Sequence, residues 1–131
     1  MCAALKYSMS YEVRNFKGSL NEFPRVMAYG QLVDKLRKRY SDYLWNAEFL
    51  DILGAKVTGD NIRYTVFRNG KTGKKAVVAY NVDTQKAHTA TVSIDNSNAS
   101  LVIVSPEKQS PSKFNGQVEI GPQSMVVVME K

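Results

Sequence analysis

The sequence is short of the residues that build most recognisable chemistry. It has one cysteine, Cys2, so neither an intrachain disulfide nor a thiolate metal site can form. It has one histidine, His88, with no cysteine or second histidine near it in sequence, which leaves a zinc site or a histidine-based catalytic pair without support. No apolar run approaches the roughly 18 residues of a membrane span. The opening Met-Cys-Ala-Ala-Leu-Lys-Tyr lacks the apolar core of a signal peptide, and Cys2, preceded only by Met1, is no lipoprotein acceptor. As written, the chain reads as soluble and cytoplasmic, with no membrane association. Internal repeats and low-complexity tracts are absent as well. No cofactor and no metal is expected.

What is present suits one folded domain. The 131 residues are 44% hydrophobic, enough to bury a real core. Eighteen Lys and Arg against twelve Asp and Glu give a formal charge of +6, which permits attraction to acidic surfaces without requiring it.

From Ile62 to Lys131 the chain reads as a succession of short strands. Ile62 to Phe67 is β-branched and aromatic. Asn69-Gly70-Lys71-Thr72-Gly73 is a turn cluster, and Ala76 to Tyr80 is a second β-prone run. Two such runs around an Asn-Gly loop predict a hairpin. Between His88 and Ile94, Ala90, Val92 and Ile94 alternate with Thr89, Thr91 and Ser93, the pattern of a half-buried strand. Leu101 to Val104 and Met125 to Met129 are apolar on both parities and should be covered on both faces. Gln117 to Ile120 reads as a strand, Ala55 to Thr58 as a short one, Asn46 to Asp60 as otherwise transitional, and Ser105 to Ser112, with two prolines, as a loop. The sum is a mainly β fold, an antiparallel β-sandwich of about seven strands.

The first third differs. Leu5 to Val13 alternates loosely, with Tyr7, Met9, Tyr11 and Val13 on one parity. A helix is predicted from an N-cap at Asn21, with Pro24 in its first turn and Lys35, Arg37, Lys38 and Arg39 near its C-terminal end. It should fray out by Tyr43 to Trp45. Its apolar stripe is Val26, Tyr29, Val33, Leu36 and Tyr40. A two-layer sandwich covers only one face of each sheet, so this one long helix is expected across the outer face of the sheet that holds Leu101–Val104 and Met125–Met129. Residues 1–45 and 46–131 are thus read as two parts packed as one unit.

Several local patterns carry little chemistry. The basic run Lys35 to Arg39 and a second group, Arg68, Lys71, Lys74 and Lys75, lack any accompanying nucleic-acid-binding motif, and a solvated helix face and hairpin loop explain them. Gly70-Lys71-Thr72 imitates the end of a phosphate loop, but Thr65 stands where that loop needs glycine, and a strand follows in place of a helix. Asn98-Ala99-Ser100 is a glycosylation triplet without an export signal. Tyr40, Tyr43 and Trp45 form an aromatic cluster. It reads first as core at a helix-to-sheet joint, and is the aromatic set to test for sugar stacking.

Tyr11-Glu12, Asn15-Phe16-Lys17-Gly18, Phe23-Pro24-Arg25, the helix from Ala28 to Tyr40, and Asp42-Tyr43-Leu44-Trp45 form an ordered series. It resembles the junction late in large bacterial glycoside-hydrolase-like enzymes, where a (β/α)8 barrel ends in its last strand and helix and a β-sandwich follows. Phe67-Arg68, the run Gly73 to Val78, Asn81, and Gly121 to Val128 resemble that C-terminal sandwich. The resemblance covers nearly the whole chain. It implies an accessory domain whose partner is the catalytic barrel of a parent or split hydrolase. Glu12 then falls at the C-terminal end of a barrel strand, where it could touch sugar, with Tyr11 and Arg14 beside it. The other strand–helix units of the barrel are missing, and a rim active site needs loops from several of them. Glycoside hydrolysis also needs paired carboxylates. The chain therefore resembles the terminal fragment of a hydrolase, or a split or decayed gene product, with no catalytic residues of its own. Stripped of barrel neighbours, Met1 to about Ser19 is expected to be flexible, or to be taken up as an edge strand by the sandwich or a second copy. A free-standing carbohydrate-binding module and a basic adaptor for acidic partners or nucleic acid are the alternatives.

Overall fold

The computed structural model describes residues 24–131 apart from residue 98, with side chains from residue 29 onward. The strand expected over Leu5–Val13, the cap Asn21 and the expectation for residues 1–19 lie outside the described residues. Among the described residues, two helices, α1 (Pro24–Arg39) and α2 (Ser41–Leu44), precede nine strands: β1 (Glu48–Asp51), β2 (Ala55–Thr58), β3 (Ile62–Arg68), β4 (Lys75–Asn81), β5 (His88–Ile94), β6 (Leu101–Val104), β7 (Ser112–Lys113), β8 (Gln117–Ile120) and β9 (Met125–Glu130). The strands form two antiparallel sheets, a six-stranded one in the order β1-β3-β4-β9-β6-β7 and a three-stranded one in the order β2-β5-β8.

The β3–β4 hairpin forms where its turn residues predict. Seven rungs run from Ile62↔Asn81 to Arg68↔Lys75. The Asn69 side-chain oxygen accepts from the N–H groups of Lys71 and Thr72, and Gly73 takes a φ of +72°, which closes the loop. In β5, Ala90, Val92 and Ile94 are buried while Thr89, Thr91 and Ser93 are exposed, as the alternation requires.

Two cores flank the large sheet. On one face Val66, Val77, Ala79, Val126 and Val128 meet Ala55, Ala90, Val92, Ile94 and Ile120 of the small sheet. On the other, Phe67, Ala76, Val78, Met125, Val127 and Met129 meet Val33, Leu36 and Leu44 of the helices. The apolar runs in β4 and β9 are therefore covered from both sides, β6 only partly, and α1 lies on the outer face of the large sheet. Leu36 is fully buried there, and burial of such a side chain stabilises by about 1.5 to 3 kcal/mol.

The structure departs from the sequence reading in three places. The Asn46 to Asp60 stretch, transitional by its sequence, holds β1, an edge strand whose register slips at a bulge between Phe49 and Asp51, with Asp51 at a φ of +58°. The proline-containing loop expected to run through Ser112 stops before it, and Ser112 and Lys113 form β7, paired with Ile103 and Val102. The helix does not run on to Tyr43. α1 stops at Arg39, Tyr40 leaves helical geometry at φ −113°, ψ 41°, and α2 adds one separate turn.

Candidate functional site

α1 is fastened to the sheet by hydrogen bonds as well as by its core. The Tyr29 hydroxyl accepts from the Met125 N–H at 2.9 Å. Burial pushes its pKa up, partly offset by that hydrogen bond. The Gln109 side-chain amide donates to the Leu32 carbonyl at 3.0 Å, and the Tyr40 hydroxyl donates to the Gln109 carbonyl at 2.6 Å. The Tyr43 hydroxyl donates to the Glu130 carbonyl at 3.0 Å. Burial, then the carboxylates of Glu130 and Asp42, raise the Tyr43 pKa, so it stays a neutral donor.

Tyr40 and Tyr43 are half-buried and form one wall of a groove of ≈ 730 Å³ whose other walls are β6, β7 and the end of β9. Small-molecule sites occupy about 300 to 1,000 Å³. Its lining includes Val102, Lys113, Met129 and Lys131. Of the predicted sugar contacts, the structure thus brings Tyr40 and Tyr43 together and separates Trp45. That indole is 43% exposed, lies 4.5 Å from the Arg37 guanidinium, and lines a different cavity of ≈ 280 Å³ with Asp34, Lys38 and Ser41. Glu12, Tyr11 and Arg14 lie outside the described residues. The groove floor escaped sequence reasoning, because β7 is only two residues long and its partner β6 lies across a loop.

The basic run of α1 does not form one cationic face. Arg37 is buried, Lys38 pairs with Asp34 at 3.0 Å, and the Arg39 guanidinium sits 5.6 Å from the Tyr40 ring. In the second group, Arg68 pairs with Glu48, its Nε donating at 3.1 Å.

At the opposite end of β4, Asn81 is 2% exposed and fully engaged. Its amide donates to the carbonyls of Lys86 and Ile120, and its oxygen accepts from the Asp83 N–H. His88 Nε2 donates to the Asp83 carboxylate at 2.8 Å. That hydrogen bond, with the N–H groups of Gln85 and Lys86, lowers the Asp83 pKa from 3.8 to about 2. Among the described residues, no group of three or more His, Cys, Asp or Glu is placed to hold a metal ion, and no helix is long and apolar enough to cross a membrane. No protein family, curated protein or solved structure matches the chain.

Proposed function

We propose that the chain is a non-catalytic accessory domain of a glycoside-hydrolase-like protein, which holds the final helix of a catalytic barrel against a supporting sandwich. The observation that carries this reading is the joint between α1 and the large sheet. Leu36 and Val33 are buried in it, and four side chains, Tyr29, Tyr40, Tyr43 and Gln109, tie the helical region to distant backbone. A helix fastened in this way moves with the sandwich, which is what a domain that braces a neighbour requires. The residues Trp45, Phe49, Ile52 and Leu53, all exposed, offer that neighbour apolar area beside β1. The test is an assay of the purified chain on aryl glycosides. No turnover is expected, and turnover that disappears in Glu12→Gln would overturn the reading.

The groove beside Tyr40 and Tyr43 favours a second reading, a carbohydrate-binding module. Two aromatic rings with fixed hydroxyls beside an open cavity suit the apolar face of a sugar. Retention on a glycan array, lost when the groove is altered, supports this reading. A blank array leaves only the bracing role.

A further inference from the structure

The cover that α1 and α2 give the large sheet is incomplete, and what it leaves open has a definite chemistry. Met129 stands directly opposite Val102, and Val102 directly opposite Lys113. Directly opposed residues of antiparallel strands share a face. Met129, Val102 and Lys113 therefore form one row across β9, β6 and β7, and that row floors the groove. It begins apolar, against the helical core, and ends at an ammonium group.

The opposite wall is set before any ligand arrives. Both tyrosine hydroxyls are held by backbone carbonyls, so little ring freedom remains to be lost on binding. Lys113 and Lys131 are exposed, and neither forms an ion pair among the described residues. The carboxylate in the lining belongs to Glu130, and both its oxygens are engaged, one by the Lys75 N–H at 2.9 Å and the other by the Ser97 hydroxyl at 2.8 Å. The groove thus offers two aromatic rings and two exposed ammonium groups beside one hydrogen-bonded carboxylate.

We propose that this groove binds an acidic oligosaccharide, with sugar rings along Tyr40 and Tyr43 and the carboxylate or sulfate groups of the glycan at Lys113 and Lys131. The proposal rests on the carbohydrate reading above and adds the charge of the ligand. Aromatic contact supplies affinity that tolerates sequence, and the lysines supply selection for anionic over neutral chains.

The experiment is titration calorimetry of the full chain with four probes of matched length: a uronate oligomer, a sulfated oligosaccharide, a neutral β-glucan oligomer and single-stranded DNA. An acidic glycan is expected to bind at least about tenfold more tightly than the neutral one, and Lys113→Ala with Lys131→Ala to remove most of that preference. Both lysines are exposed, so this variant keeps the fold, which circular dichroism verifies. Binding of either acidic probe in preference to the neutral oligomer supports the proposal, and the tighter of the two names the anion. Equal binding of the neutral oligomer, insensitive to the lysine variant, overturns the charge assignment and leaves the carbohydrate reading standing. No binding of any glycan overturns both. DNA binding as tightly as the acidic glycans overturns the proposal in favour of unselective polyanion attraction.

Discussion

Leu36 tests the joint on which the architecture depends. It is fully buried, in a cluster that also holds Val33, Phe67, Val78 and Val127. Truncation to alanine removes the buried methyl groups and leaves a cavity against a sheet that cannot collapse far, which costs about 2 to 5 kcal/mol. Leu53 is the matched control, because the same side chain there is 70% exposed and its removal should stay within about 0.5 kcal/mol. In urea, with a slope of about 2 kcal/mol/M, Leu36→Ala lowers the midpoint by roughly 1 to 2.5 M. Leu36→Asp adds the desolvation of a carboxylate, and its total cost of several kcal/mol consumes much of the roughly 5 to 15 kcal/mol available to a domain. Far-ultraviolet circular dichroism reports the strands. Fluorescence of Trp45, the one tryptophan, reports the helix end. The two curves should shift together. A midpoint in Leu36→Ala no lower than in Leu53→Ala refutes the packing of α1 on the sheet.

Two further outcomes follow from geometry away from the groove. The Asp83 pKa is depressed on folding, so the pair with His88 stabilises the fold above the unfolded value of 3.8 and loses that contribution as pH falls toward about 2. Acid unfolding followed from pH 5 to 2 should be shallower in Asp83→Asn, and an unchanged slope there rejects the pairing. Gly59 has a φ of +154°, and a Cβ on it would lie 2.5 Å from the Thr89 carbonyl oxygen and 2.9 Å from Ile62 Cγ1. Gly59→Ala should therefore cost more than about 1 kcal/mol in chemical denaturation, and a neutral result would mean that the turn after β2 is held differently.

The elements legible in the sequence are those whose signal is local. Asn69-Gly70 marks the hairpin because side-chain hydrogen bonds close that loop within a few residues. β5 alternates because one face of it meets water, and β9 does not alternate because it has a core on each side. β1 left no comparable trace. Its bulge at Asp51 breaks the period within four residues, and Glu48 and Phe49 are exposed at the sheet edge. The aromatic cluster was visible, but its division was not. Tyr40 and Tyr43 turn to the sheet while Trp45 stacks with Arg37, because the helix breaks at Tyr40 and restarts as α2. The lysines of the groove are Lys113 of β7 and Lys131, the residue after β9, and only the pairing of both segments alongside β6 brings them together.

The position of β9 has a consequence for how the chain comes to be made. It is the last strand in chain order, yet it lies between β4 and β6 in the middle of the large sheet. As the ribosome delivers the polypeptide, β1, β3 and β4 can assemble as one ribbon and β6 with β7 as another, but nothing joins them until Met125–Glu130 emerges. Until then the open sides of β4 and β6 present unpaired backbone next to apolar side chains such as Val78 and Val104, a template for pairing with other nascent chains. The large sheet is complete only once this one strand lies between those two edges. Loss of a few residues from β9 would consequently divide the large sheet into two ribbons and not merely remove one strand from it.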